Sequence, residues 1–541
     1  MSPGYVPARG HQGAVAGHAS GPDPYWFGGG CRTAGPIRPG NGIVGGPHGI
    51  RTAPNRTAPA PHTARHRTAR HPQTTFFRIR PGVTTMTSPT SRRTVLTAAL
   101  AAAASAGTVA SSAAPASAAA ASPSASSSAT PAALVDNRFW HTYTDWRCGS
   151  ADGTRILPGA RPGLMIAAPA GRVDHTDPHT GETAAWDYAT WTSPVHRSAV
   201  PATEVIASWN ARTPVGTWIQ VELSGRYTDG TDTPWFVMGR WAAGDGDIRR
   251  TSVDGQGDPR STVWTDTLAV DDPASGVRLV SFRLRLTLYR APGSRLTPTV
   301  WRVGAMASDV PDRFTVPETA PGPARELPVP RYSQNIHIGQ YPEYDNGGEA
   351  WCSPTSSQMI IEYWGRKPTA EDLAWVKPGL PDPQVCHAAR NTYDYQYGGC
   401  GNWPFNAAYA ATYRDMNAVV TRLGSLTDVE RLVRAGIPVI TSQSFLKEEL
   451  TGAGYGTSGH LMTVIGFTPE GDVVANDPAS PDNDAVRRVY RRREFENIWL
   501  RTKRYDAEGK VRSGTGGVCY VYWPDRPTPG RQRVLRSLGL L

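Results

Sequence analysis

The stretch Trp351-Cys352-Ser353-Pro354-Thr355-Ser356-Ser357-Gln358-Met359-Ile360-Ile361-Glu362-Tyr363-Trp364 reads as the start of a helix. Ser353 suits the cap, and Pro354 suits the first helical position, where its missing N–H costs nothing. Met359, Ile360 and Tyr363 supply an apolar face. Cys352 is then expected just outside a helix N-terminus. There the macrodipole and the unpaired backbone N–H groups favour a thiolate, which is a competent nucleophile at neutral pH. From this local pattern alone, a buried or disulfide-bonded structural cysteine is an equally open reading.

A thiolate nucleophile needs a base, and the surrounding region offers His337, His387 and His460. His460 lies in Gly459-His460-Leu461-Met462-Thr463-Val464-Ile465-Gly466-Phe467, an apolar run of buried-strand type. Thr468-Pro469-Glu470-Gly471-Asp472 is a turn, and Val473-Val474-Ala475-Asn476-Asp477-Pro478 returns from it. A hairpin brings Asp477 or Asn476 back towards His460, and strand alternation allows only one of them to face it. Asp477 is the better partner, because a carboxylate both orients the imidazole and stabilises its charged form.

The order Gln334, Cys352, His460, Asp477 resembles the papain-like cysteine peptidases. The details are most similar to the branch that includes the bacteriocin leader peptidases, which cut after double glycine, and their secreted stand-alone relatives. The matching pieces are Arg331-Tyr332-Ser333-Gln334, Cys352-Ser353-Pro354-Thr355-Ser356, Gly459-His460 and Asn476-Asp477-Pro478, spread over about residues 327–524. The sequence departs from the pattern in two places. Ser353 replaces a glycine, and Gln334 stands 18 residues before Cys352, with Gln340 a rival at 12. An inserted loop, 335–350, explains either spacing.

The resemblance implies an α+β peptidase domain over 331–524 and acyl transfer through a thioester. Cys352 is the nucleophile, His460 the proton shuttle, Asp477 its orienting acid and Gln334 an oxyanion donor. No metal or organic cofactor is called for: there is no H-E-x-x-H, paired C-x-x-C or phosphate-binding glycine loop. Two rival functions stay open, a cell-wall peptide amidase or transglutaminase-like acyl transferase, and a non-catalytic carbohydrate- or surface-binding protein.

Cys386 and Cys400 flank a Tyr/Gly-rich loop, and a disulfide between them would stabilise by about 3 kcal/mol. A metal pair with His387 is the weaker alternative, since no fourth soft ligand is evident. Trp403 is expected in the wall of the substrate cleft, against the plainer reading as core. Cys148 and Cys519 are left to pair across the chain. Thr427-Asp428-Val429-Glu430 reads as a capping box, and residues 525–541 as a tail.

Residues 135–315 read differently. Short Val/Thr/Trp/Tyr runs at 204–209, 217–223, 234–240, 261–268 and 277–288 alternate with Gly/Asp/Pro turns, which predicts an all-β sandwich of jelly-roll type. Its tryptophans offer a glycan contact, although core packing is the better reading for most of them. Residues 316–330 are proline-rich and are expected to be a linker.

The chain of 541 residues carries a net charge of +10, yet residues 1–93 hold 12 Arg and one acid. The rest balances to 44 bases against 45 acids, which argues against nucleic acid as a partner. Ser91-Arg92-Arg93-Thr94-Val95-Leu96, the Ala-rich run after it and Ala116-Ser117-Ala118 read as a twin-arginine export signal at 86–118. On that reading 1–85 is a disordered or mis-called upstream extension, with Met86 the true start, and 119–134 is an Ala/Ser/Pro linker. The expected product is a secreted or extracellular protein with no stable membrane insertion once the signal is removed. Its expected substrate is a peptide, a protein or a cell-wall peptide.

Overall fold

The computed structural model describes residues 134–541. The expected extension, the export signal and the linker up to residue 133 lie outside the described residues. Among the described residues no helix is long and apolar enough to cross a membrane.

The first region is a sandwich of two seven-stranded antiparallel sheets. Strand alternation builds it, as Leu279–Arg290 shows. Phe282, Leu284, Leu286 and Leu288 are buried at a two-residue period. The intervening Arg283 and Arg285 turn outward and stack on Trp235 at 4.8 and 4.4 Å. Arg285 also forks onto its cross-strand partner Glu222 at 2.7 and 2.6 Å. Trp186, Trp191, Trp209, Trp218 and Trp241 are buried, so they serve packing and offer no surface platform.

The run 261–268, expected to be one strand, is a hairpin. Ser261–Trp264 pairs with Thr267–Val270, and Thr265 turns the chain at φ +50°. A β-branched residue in the left-handed region is strained by about 1–2 kcal/mol, so packing around the turn holds it there. The result places Asp266 at the hairpin tip.

The second region is an α+β domain around a third seven-stranded antiparallel sheet. Its strands run in the order Met416–Arg422, Val518–Pro524, Val439–Phe445, Thr457–Phe467, Val473–Asn476 and Arg487–Tyr490, and Arg325–Glu326 pairs with the far end of Thr457–Phe467. Both faces are covered. Val420, Tyr520 and Tyr522 share a core with the helices Cys352–Tyr363 and Trp403–Thr412. Val419, Val521 and Trp523 share the opposite core with Leu426–Arg434, Arg492–Leu500 and Pro529–Ser537. That last helix lies within 525–541, so much of the expected tail is structured and buries Leu535 and Leu540.

Two caps differ from expectation. Trp351 occupies the N-cap of Cys352–Tyr363 without a side-chain bond, and Ser353 instead meets the Tyr520 hydroxyl at 3.0 Å. Ser425, not Thr427, caps Leu426–Arg434 by accepting from Asp428 N–H. Glu430, freed from capping, is buried and paired with Arg492 at 2.8 Å.

The two regions pack against each other across a continuous apolar core. Phe405 wedges between Trp209 and Trp241, with ring centroids 6.0 and 5.4 Å away. Gly239 makes room for it, since a Cβ there would lie 2.7 Å from Trp209 and 3.0 Å from Phe405. Truncating such an aromatic costs about 3–5 kcal/mol. Asn210 then acts as a surrogate strand. Its amide donates to Ala418 O at 2.7 Å and accepts from Ala418 N at 3.2 Å, capping the sheet edge at Met416–Arg422. The proline-rich segment 316–330 is strapped down as well. Arg492 donates to Thr319 O, Thr319 donates to Glu496, and Gly322 N–H donates to Glu430.

Candidate active site

Cys352 is the first residue of its helix, so helical N–H groups and the positive end of the dipole lie at its sulfur. The histidine strand Thr457–Phe467 packs against this helix: Ser356 donates to Leu461 O at 3.3 Å. That contact brings His460 near the thiol, where each group shifts the pKa of the other. The other side of the ring meets Asp477, with His460 Nε2 2.9 Å from Oδ1. Asp477 comes just after the return strand Val473–Asn476. Asn476 points elsewhere and donates to Pro330 O at 3.0 Å, as alternation requires.

Asp477 is wholly buried yet remains an anion. Burial pushes its carboxyl up, but the His460 charge and bond, followed by two tyrosine hydroxyls, hold it below the usual range. Tyr490 donates to Oδ2 at 2.6 Å and Tyr455 at 2.9 Å, while Ala479 N–H donates to Oδ1 at 3.0 Å. Such a set of donors satisfies a buried charge. The Tyr455 ring also stands edge-on to His460, with centroids 5.5 Å apart. Neither tyrosine is signalled by the sequence. Each lies in its own segment, and only the fold brings them to one oxygen.

Burial works against a charged His460, but the Asp477 carboxylate and the thiol raise its pKa to about 10. Burial likewise works against the Cys352 thiolate, and the bond and charge of His460 outweigh it, so the thiol is held below its ordinary value. The two shifts agree in sense: proton on the ring, charge on the sulfur.

Gln334 is buried beside the helix start and donates to Glu349 O at 2.8 Å, leaving its second amide hydrogen for another acceptor. The long spacing before Cys352 is a closed excursion. Short turns at Asn335–His337 and Gly348–Ala350 bracket it, and Ile338 bridges to Gly347. Gly348 permits the closure, since a Cβ there would lie 2.2 Å from Gln334 O. Gln340 is half-buried within the excursion, its N–H bonded to His337 O.

The expected Cys386–Cys400 disulfide is absent. Both are buried free thiols: Cys386 Sγ lies 3.6 Å from His337 Nδ1, and Cys400 Sγ points at Ala389 O at 3.5 Å. Each sulfur is turned to a different partner inside one small core, so the loop is held by packing and by Asp394 instead. Cys519 is a free thiol inside a central strand and forms no bridge to Cys148. Trp403 begins the helix Trp403–Thr412 and is mostly buried, and its N–H donates to Asp266 of the sandwich hairpin at 2.9 Å. Among the described residues no cluster of three or more His, Cys, Asp or Glu is arranged to hold a metal ion.

Residues 326–507 match the family model described as the peptidase C39-like family, and residues 136–308 match that of the peptidase C39 N-terminal domain. A solved structure described as a C39-like peptidase from Bacillus anthracis is 19% identical, with a TM-score of 0.25. It covers 38% of this chain and 100% of its own. No curated protein matches the chain.

Proposed function

We propose, from the matches of residues 326–507 to the peptidase C39-like family model and of residues 136–308 to the peptidase C39 N-terminal domain model, that the second region is a papain-like cysteine peptidase domain and that the protein is an exported hydrolase of peptide or amide bonds acting through Cys352. The observation that carries this reading is the His460–Asp477 pair, 2.9 Å apart, set so that His460 holds the Cys352 thiol below its ordinary pKa. The thiolate attacks the carbonyl carbon. The oxyanion that forms is met by the second amide hydrogen of Gln334 and by backbone N–H at the helix start. His460, already protonated, gives its proton to the leaving amine. It then takes a proton from water, whose oxygen attacks the thioester and releases the acid. Asp477 holds the ring throughout and stays ionised. Export rests on the twin-arginine pattern at 86–118 alone.

The test is covalent labelling. A peptidyl chloromethyl ketone should modify Cys352, and the modification should vanish in His460→Ala. An unlabelled Cys352 in the native protein would overturn the reading. Peptide and muropeptide panels with an added amine acceptor then separate hydrolysis from acyl transfer.

A further inference from the structure

We propose that the seam between the sandwich and the peptidase domain is a substrate subsite for a cationic, lysine- or arginine-like side chain, with Asp266 of the sandwich hairpin as its carboxylate. This rests on the peptidase reading above and specifies its substrate.

A cavity of about 140 Å³ opens at this seam. That is the share of about five waters, enough for an aliphatic stem and a charged head. Trp264, Asp266 and Glu204 come from the sandwich, and Trp403, Ser444 and Ser458 from the peptidase domain. Ser458 precedes His460 by two residues on one strand, so their Cα atoms are no more than about 7 Å apart. The cavity therefore adjoins the reacting groups.

The wall chemistry selects the ligand. Asp266 is 5% exposed, and the donors bonded to it are neutral: Trp403 N–H at 2.9 Å and the Thr267 hydroxyl at 3.0 Å. Burial, against those two bonds, pushes its carboxyl up to about 7. A carboxylate so placed gains from an incoming cation. The cations already in the walls are spoken for: Arg422 pairs with Glu204 at 2.5 Å. The same holds in the adjoining cavity of about 480 Å³, which shares Glu204, Ala269, Ser513 and Gly514. There Arg278 pairs with Asp309 and Lys503 with Asp312. Trp264 and Trp403 add aromatic surface to the wall. Finally, the Trp403 indole N–H and the Ser444 hydroxyl are buried without partners. Both residues line the cavity.

The experiment uses the full chain and peptidyl chloromethyl ketones carrying lysine, norleucine or glutamate at each of the four positions before the reactive group. At one position, lysine should inactivate at least 10-fold faster than norleucine, with glutamate slowest. Asp266→Asn should collapse the lysine-to-norleucine ratio towards one, and Trp264→Ala should lower it. The ratio is internal to each variant, and the wild-type ratio stands even if a variant fails to fold. A wild-type ratio of one at every position, or a ratio that survives Asp266→Asn, would overturn the subsite while leaving the peptidase reading intact. Absence of labelling by every probe counts against that reading itself, and the subsite falls with it.

Discussion

Among the described residues two buried cysteine–histidine pairs ionise in opposite senses. Cys352 is coupled to His460, and Cys386 lies 3.6 Å from His337. In the first pair the thiol is pulled down and the ring raised to about 10. In the second, burial pushes the thiol up to about 12 and the ring down to about 4, so both stay neutral. Two differences explain this. Asp477, with its tyrosine donors, stands behind His460, whereas His337 Nε2 is buried with no partner. Cys352 also opens a helix, whereas Cys386 sits inside Pro383–Thr392. A Cys–His contact is thus inert until a carboxylate and a helix terminus offset the cost of burying charge.

The strongest way to test that contrast is to remove each sulfur. Cys352→Ala should lower peptide hydrolysis by at least about 10⁴-fold, while Cys386→Ala leaves it within about twofold. Next, Asp477→Asn should turn the first pair into the second. The ring loses its charge partner, and kcat should fall by about 10³-fold with the fold intact by circular dichroism. A pH series on the unaltered protein sharpens the same point. Iodoacetamide labelling of Cys352 should hold a plateau between its lowered thiol pKa and about 10, where the imidazolium is lost. Labelling of Cys386 should stay absent across that range, because its thiol ionises only near 12. Tyr490→Phe removes the 2.6 Å donor to Asp477 and weakens the acid that holds the ring. The ring is then held less firmly, and kcat should drop about 10-fold, with Tyr455→Phe milder. Smallest, Cys386→Ala should cost about 1–3 kcal/mol in denaturant unfolding, the loss from a small cavity.

Much of this arrangement was legible before the fold was known. The helix beginning at Cys352, the strand carrying His460 and the turn into Asp477 are local patterns of periodicity and turn residues, and the structure keeps all three. Reading went astray where a local rule met a distant partner. Ser353 has a capping side chain, but Tyr520 claims it. Thr427 and Glu430 spell a capping box, but Arg492 claims the glutamate. Cys386 and Cys400 are well spaced for a bridge, but each sulfur turns to another group. The run 261–268 has strand composition throughout, and nothing local marks the break at Thr265 that lifts Asp266 to a tip.

Sequence alone determined which residue types stand where chemistry is possible: a sandwich, a helix begun by a cysteine, a histidine strand and an acid one hairpin away. These follow from periodicities of two and 3.6 and from turn residues, which act over a few positions. Tertiary structure alone decided the charge states, and it also set the seam. Tyr455 and Tyr490 converge on Asp477, and Asp266 reaches the peptidase domain from the sandwich, only after distant segments pack. Burial and the charges of neighbours set a pKa, and both are properties of the packed interior that no stretch of chain carries by itself.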